Sequence, residues 1–186
     1  MRIITGTARG LRLKTPAGLA TRPTSDRVKE SLFSVLNGLI NFAEINSVLD
    51  IFAGTGALGL ESLSRGAKSA TFIDAATTEI IRENSARAKF SDTSTILRGD
   101  CEKILRRLAK NSAAFDLIFS DPPYAKGLAQ KSLSLVAELN LLNAGGLIVV
   151  EHGAAEILTS PNFELVRALT YGNTTAIKIF ERNLPS

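Results

Sequence analysis

The chain has 186 residues, of which 45% are hydrophobic, and it carries a formal net charge of +4. This length suits one α/β domain with its own core, and the composition excludes a disordered or fibrous chain. One Cys and one His exclude an intrachain disulfide and a Cys/His metal cage, and no segment has the roughly 20 apolar residues of a membrane span. We therefore expect a cytoplasmic, metal-free monomer without a membrane anchor.

The positive charge is concentrated at the N-terminus. Residues 1–30 contain seven cations and two acids, whereas the rest of the chain holds 15 cations and 16 acids. A basic end on a nearly neutral body favours a polyanionic partner over a merely solvated arm. The candidate phosphate contacts are Arg9, Arg12, Lys14, Arg22, Arg27 and Lys29.

The first forty residues predict a small unit made of a hairpin and a helix. Glycines at positions 6, 10 and 18 are consistent with a β-hairpin that turns near Arg9-Gly10. Residues 21–26 supply capping side chains for a helix whose apolar face includes Leu32 and Leu36, which places Arg27 and Lys29 away from that face. We expect residues 1–40 to pack as a basic unit on a catalytic domain of residues 41–186.

From Ser47 the pattern repeats strand, turn and helix. Strands are predicted at 48–52, 70–74, 94–97, 115–120 and 147–150, and helices at 56–65, 77–89, 101–110 and 128–139. A short helix near 154–158 and two strands at 163–169 and 175–180 complete the chain, with a hairpin signal at Tyr171-Gly172-Asn173. The pattern therefore predicts a mainly parallel sheet with a terminal antiparallel hairpin.

Acidic residues follow four of the predicted strands at or near their carboxyl ends. They are Asp50, Asp74, Asp100 and Asp121. Ligands of open parallel sheets bind at that edge, where four converging carboxylates would repel one another in a dry site. A ligand with hydroxyl, amino or cationic groups explains them better than a core role does.

Residues 52–59 contain a G-x-G-x-x-G pattern between a strand and a helix. Gly54 and Gly56 permit a tight turn, and Asp74, twenty residues after Gly54, can hold both hydroxyls of a ribose. A dinucleotide and S-adenosylmethionine both satisfy this arrangement. The surrounding acids favour S-adenosylmethionine, because it carries an ammonium and a sulfonium but no phosphate.

The proline loop, Asp121-Pro122-Pro123-Tyr124, follows the apolar run at 115–120. Two prolines cannot continue a central strand, so the chain must leave the sheet as a stiff loop. It presents a carboxylate, a backbone carbonyl and a flat ring side by side. These groups suit a planar ring that bears an amino group.

Residues 48–56, together with the proline loop, resemble the cofactor and catalytic motifs of amino-directed nucleic-acid methyltransferases. Residues 2–6 and 22–30 are similar to the N-terminal signature of the RsmD family, which methylates the exocyclic N2 of one guanine in 16S ribosomal RNA. The resemblance implies an α/β, Rossmann-like, seven-stranded sheet of order 3-2-1-4-5-7-6. It also implies S-adenosylmethionine as cofactor, and as partner 16S rRNA within an assembling small ribosomal subunit.

The resemblance also assigns roles to residues. Gly54 and Gly56 would line the methionine end of the cofactor, Asp74 the ribose, and Asp100 with the Cys101 backbone the adenine. The full cofactor set is Asp50, Phe52, Ala53, Gly54, Gly56, Asp74, Ala75, Asp100, Cys101 and Asp121. The catalytic set is Asp121, Pro122, Pro123 and Tyr124.

The proline loop would act by accepting hydrogen bonds from the target amine. If the Asp121 carboxylate and the Pro122 carbonyl each accept one N–H, the nitrogen lone pair points at the methyl group, and Tyr124 stacks on the base. Cys101 and His152 are expected to be structural. Adenine-N6 methylation, a nucleotide-dependent oxidoreductase and a non-catalytic RNA-binding module are the alternative functions.

Overall fold

After an N-terminal segment (residues 1–16), helices and strands alternate as far as residue 153, and two further strands complete the fold. The computed structural model describes residues 1–16, 26–124 and 127–183. The helices are α1 (Asp26–Asn37), α2 (Ala57–Ser64), α3 (Thr78–Arg87), α4 (Cys101–Lys110) and α5 (Leu128–Glu138). The strands are β1 (Val48–Ile51), β2 (Ala70–Asp74), β3 (Ser94–Arg98), β4 (Phe115–Ser120), β5 (Leu142–Gly153), β6 (Glu164–Tyr171) and β7 (Thr175–Glu181).

These strands form one sheet in the order β3-β2-β1-β4-β5-β7-β6, which confirms the predicted order. Strands β1 to β5 are parallel, and β7 lies antiparallel between β5 and β6. The order reverses between β1 and β4, so the loops after these two strands leave the sheet side by side. Ligands of such sheets bind at this point.

The sheet is covered on both faces, as parallel sheets require. One core joins α1, α2 and α3 to strand residues such as Val48 and Phe119. The other joins α4 and α5 to residues such as Leu49 and Ile118. Neighbouring residues of β1 enter opposite cores because side chains alternate along a strand, which explains why its residues are buried throughout.

The N-terminal segment has two antiparallel arms, as the predicted hairpin requires, but the arms pair only over a short stretch. They are joined by one bridge between Arg2 and Arg12 and by three backbone bonds, from Ile3 N–H to the Leu11 carbonyl, from Gly10 N–H to the Ile3 carbonyl and from Leu13 N–H to the Met1 carbonyl. Four amides between the arms bond to α2: Ile4 and Thr5 to the Glu61 carboxylate, and Thr7 and Ala8 to Ser64. Contacts with α2 therefore hold the connection between the arms, where the hairpin ladder does not continue.

Gly6 is required where this loop meets α2. Its φ is +87°, and a Cβ built there would lie 1.7 Å from the Ser64 carbonyl oxygen. A side chain at position 6 would therefore push the loop away from α2.

Lys29 lies on the buried face of α1, so its predicted outward orientation is wrong. Its side chain is fully buried, donates to the Arg2 carbonyl and lies 3.2 Å from Glu61 Oε2. Glu61 also accepts from Arg65, whose guanidinium stacks over Phe33. Burial lowers the pKa of Lys29, and the Glu61 charge opposes that shift. This charged cluster joins the N-terminal segment, α1 and α2.

The tail differs from the predicted elements at two points. Residues 154–158 form a turn and irregular chain instead of a helix, because Gln130 of α5 bonds both backbone groups of Thr159, and Leu158 enters the core. Strand β5 begins at Leu142 instead of Leu147, because Gly145 and Gly146 continue the pairing through Arg182.

Two observations limit other kinds of site within residues 1–16, 26–124 and 127–183. No helix there is long and apolar enough to cross a membrane. No group of three or more His, Cys, Asp or Glu side chains there could hold a metal ion. The predicted helix cap at 21–25 and Arg22 lie outside these residues.

Candidate active site

A cavity of about 210 Å³ opens at the carboxyl edge of the sheet. It brings together five of the predicted cofactor residues: Phe52, Asp74, Ala75, Asp100 and Cys101. They come from the turns after β1, β2 and β3, so the topology gathers residues that lie far apart in the sequence. The apolar part of the lining includes Phe52 and Ile73, and the polar part includes Asp74 and Asp100. This combination suits a planar ring attached to a sugar.

The glycine loop (residues 52–56) leaves β1 in a strained path. Phe52 has a φ of 60°, and Gly54 and Gly56 have φ of 56° and 78°. Positive φ is costly for a bulky residue, and such strain clusters at ligand sites. Gly59, one turn into α2, packs so closely on Phe72 that a Cβ would lie 2.4 Å from its ring. The glycines therefore allow both the turn and the close approach of α2 to the sheet.

Asp74 connects the glycine loop to the turn that follows β2. Its Oδ2 accepts from Gly54 N–H at 3.0 Å, and its Oδ1 accepts from the amides of Ala76 and Thr77 at 2.8 Å each. A carboxylate has about four acceptor positions, so three are already used. The two-hydroxyl grip on a ribose stays a prediction, and in this geometry the ribose would share the carboxylate with three backbone amides.

Asp50 is buried inside the fold instead of lying at the open edge. It is 1% exposed, and its carboxylate accepts from Gly59 N–H at 2.9 Å. Gly56, the N-cap of α2, has no side chain to cap the helix, so Asp50 supplies that cap from β1. Burial raises the pKa of Asp50 to about 7, and the charge of Asp74 adds to the rise. Its predicted place among the edge carboxylates is therefore wrong.

Asp100 and Cys101 begin α4 beside the cavity. The Asp100 side chain accepts from Lys103 N–H at 3.0 Å, as an N-cap does. Burial raises the pKa of the Cys101 thiol to about 12, and the Asp100 charge adds to this. The thiol is therefore protonated near neutral pH and is a poor nucleophile.

The proline loop begins beside the glycine loop. Ser120 at the end of β4 pairs with Ile51 at the end of β1, and Asp121 N–H donates to the Ile51 carbonyl at 3.4 Å. The next residue, Pro122, is buried, whereas Pro123 is exposed. Asp121 therefore emerges next to Phe52, and groups held by the two loops would meet there.

The hydroxyl of Tyr124 is attached to the ends of β5 and β7. It donates to the Glu151 carboxylate and lies 3.1 Å from Thr175 Oγ1. Burial raises the pKa of the Tyr124 hydroxyl, and the bond to Glu151 and the nearby charge of Asp121 contribute to the rise. The ring thus bridges the proline loop and the far strands of the sheet.

Five of the six predicted phosphate contacts lie among the described residues, and they fall into three groups. Arg9, Arg12 and Arg27 are exposed, although Arg9 lies in the turn that packs on the C-terminal end of α2, away from the glycine loop. Lys14 is exposed but pairs with Glu83 at 2.7 Å. Lys29 has no exposed surface, so it cannot reach a phosphate in this structure.

Asn84 of α3 fixes the segment that carries Arg12 and Lys14 against the glycine loop. Its side chain accepts from Lys14 N–H at 2.7 Å and donates to the carbonyls of Lys14 and Thr55 at 3.0 Å each. The backbone that carries the exposed cations Arg12 and Lys14 is therefore held against α3 and the glycine loop.

Several functional contacts were not predicted from the sequence. Leu128, Lys131 and Ser132 of α5 line the cavity, and Glu151 and Thr175 hold Tyr124. The amphipathic pattern of α5 predicts a helix, but it does not show that the helix lines this cavity. Glu61, a single acid in the otherwise uncharged α2, was a visible signal of a buried charge.

His152 at the end of β5 is buried and bonds through Nδ1 to the Gly153 carbonyl. Burial lowers its pKa, which keeps the imidazole neutral. It follows Ile148 and Val150 on the core face toward α4 and α5, opposite to Glu151. A packed residue was predicted here, and the geometry agrees with it.

Known proteins of similar sequence were found over almost the whole chain. The sequence matches the family described as Conserved hypothetical protein 95 over residues 1–180. Ribosomal RNA small subunit methyltransferase D of Escherichia coli (strain K12) is 36% identical, with 98% of this chain and 90% of that protein covered.

Solved structures agree with this match. The hypothetical protein TTHA0928 of Thermus thermophilus superposes with a TM-score of 0.82 at 31% identity, covering 97% of this chain and 99% of the other. The protein SMU.776, solved complexed with SAH, shares the fold with a TM-score of 0.60 at 18% identity, over 79% of this chain and 48% of that one. The sheet order, the sequence match and these superpositions agree: the chain belongs to the RsmD family.

Proposed function

We propose that this protein transfers a methyl group from S-adenosylmethionine to the exocyclic N2 of a guanine in 16S ribosomal RNA. The observation that carries the proposal is the adjacency of two loops at the topological switch point. The proline loop begins with Asp121 at the end of β4, and the glycine loop begins beside it, at the end of the paired strand β1. A relative at 36% identity bears the name ribosomal RNA small subunit methyltransferase D.

S-adenosylmethionine fits the groups around the cavity. Asp74 and Asp100 can accept from the ribose and the adenosine end, and Phe52 offers an apolar surface. The volume of about 210 Å³ is below the roughly 300–1,000 Å³ of pockets that enclose a drug-sized ligand, so it suits the adenosine half. The methionine half would then lie over the glycine loop.

The proline loop would supply the chemistry through acceptors alone. The Asp121 carboxylate and the Pro122 carbonyl would each accept one N–H of the target amine, which points its lone pair at the methyl carbon. The same acceptors would stabilise the positive charge that develops on nitrogen as the N–C bond forms and the bond between the methyl carbon and the sulfonium sulfur breaks. The surplus N–H proton would then leave to solvent. Ring-carbon methylation needs a thiolate, and the Cys101 thiol, with its pKa of about 12, does not provide one.

Nucleoside mass spectrometry tests the proposal directly. Unmethylated 16S RNA, both free and in small-subunit particles, is incubated with the protein and S-adenosylmethionine and then digested. We expect N2-methylguanosine to appear, and to form faster on particles, because few exposed cations of the described N-terminal residues are available to read RNA sequence. Detection of N6-methyladenosine instead would show that the target base is adenine. If no methylated nucleoside forms, the proposal is overturned.

RNA binding is expected to depend on Arg9, Arg12 and Arg27. Because each phosphate contact releases condensed counterions, replacing all three with alanine should reduce the slope of log affinity against log salt by roughly two to three units. Fluorescence anisotropy with a 16S fragment measures the slope. The control replaces Lys103, Arg107 and Lys110 on α4, which packs on the opposite face of the sheet. An equal effect of both triple variants would contradict the assignment.

A further inference from the structure

The side chain of Tyr124 contacts β5 and β7, which are the next two strands after β4 in the sheet. Its hydroxyl donates to Glu151 near the end of β5 and lies 3.1 Å from Thr175 Oγ1 at the start of β7. Glu151 pairs with Ile177, and Gly153 with Thr175, so the two side chains stand on the same sheet face. A contact thus links the loop to a rigid part of the fold.

This attachment does more than fill space. A phenylalanine ring would offer a base the same stacking surface, so stacking alone does not call for a hydroxyl at position 124. The bond to Glu151 fixes the hydroxyl end of Tyr124 and so restricts its χ2, which is a broad torsion in an aromatic side chain.

We propose that Glu151 is a positioning residue that holds the Tyr124 ring in the orientation needed to stack on the target base, with Thr175 as the second contact. This role rests on the proposed function, since it requires a base beside the proline loop. A ring that is fixed in advance loses no rotational freedom when the base enters, and the amine then stays aligned with Asp121.

Thr175 lies at the β6–β7 turn, which also carries a second tyrosine. Thr175 pairs with Tyr171 across the turn, and the Tyr171 hydroxyl donates to Ser31 of α1 at 3.0 Å. The turn therefore contacts the proline loop on one strand and α1 on the other. Tyr171 thus offers a matched control: a tyrosine in the same region whose hydroxyl bonds elsewhere.

Steady-state methyl transfer to the particle substrate tests the role. We expect Tyr124→Phe and Glu151→Ala each to lower kcat by about tenfold with KM for RNA within about twofold, because misplacing a positioned group mainly slows the step. The double variant should lose no more than either single one, since both changes remove the same contact. Glu151→Gln, which keeps an acceptor oxygen, should recover most of the rate, and Tyr171→Phe should match the wild type.

The outcomes are separable. Losses that multiply in the double variant, or a Glu151→Gln variant as slow as Glu151→Ala, overturn the positioning role while the proposed function stands. Wild-type protein that methylates no RNA overturns the proposed function and the positioning role with it. Thermal unfolding and S-adenosylmethionine titration of each variant identify any loss caused by misfolding, and in that case the milder pair, Tyr124→Phe and Glu151→Gln, decides the question.

Discussion

Replacing Asp121 with alanine is expected to lower the rate of methyl transfer about 10²- to 10³-fold, as the loss of one preorganised charge-stabilising group typically does. Asp121 follows β4 directly, and its N–H donates to the carbonyl of Ile51 at the end of β1. Under the proposed function, removing its carboxylate takes away an acceptor for the target amine without altering the strands. Single-turnover transfer from labelled S-adenosylmethionine measures the rate, and calorimetric titration measures cofactor affinity, which should change little.

Two further variants make this result specific. Asp121→Asn keeps an acceptor oxygen but loses the charge, so its rate should fall between the wild type and Asp121→Ala. Asp92→Ala removes an exposed acid from the 3₁₀ turn before β3 and should leave the rate unchanged. Near-normal transfer by Asp121→Ala would show that the proline loop is not the acceptor site.

Replacing Glu61 with alanine should cost about 3–5 kcal/mol of the free energy of unfolding, since breaking a buried ion pair leaves an uncompensated charge. Glu61 and Lys29 are both fully buried, and Arg65 is nearly so. The change would also leave the amides of Ile4 and Thr5 without their acceptor. Urea denaturation measures the loss, and proteolysis should become faster within residues 1–16.

A matched pair separates this buried network from ordinary surface charge. Glu83→Ala removes the exposed partner of Lys14 and should change stability by less than about 1 kcal/mol. A Glu61→Leu/Lys29→Met double variant should recover part of the loss, because the fully buried Lys29 charge is then removed together with its partner. The recovery should be incomplete, because Arg65 still loses its bond to Glu61. Equal effects of Glu61→Ala and Glu83→Ala would contradict the structural role of the network.

The periodicity of the sequence predicted the strands and helices well because these elements are strongly patterned. The run at 115–120 and the helix at 101–110 have the predicted bounds. The predictions differ from the structure where another part of the chain satisfies the backbone. Glu61 and Ser64 bind amides between the arms of the N-terminal hairpin, and Gln130 binds Thr159, just after the helix predicted near 154–158. Local patterns carry no signal for such partners.

The candidate site was predictable where function depends on backbone shape. The glycines and the proline pair predict their loops directly from residue type. Both loops lie together where the strand order reverses between β1 and β4. The acids were harder to interpret, because a carboxylate looks alike in the sequence whether it binds a ligand or a helix. Asp50 caps α2, and Asp74 uses three acceptor positions on the chain itself.

Periodicity, residue type and charge are local properties, so they were enough to predict the succession of strands and helices, the glycine and proline loops and the excess of N-terminal cations. Which charged groups face outward depends on tertiary contacts. Lys29 enters the core because Glu61 lies on the helix packed against it, and Tyr124 bends back to Glu151 because β4 and β5 are adjacent. These pairings depend on distances between segments far apart in the chain, which no local pattern encodes.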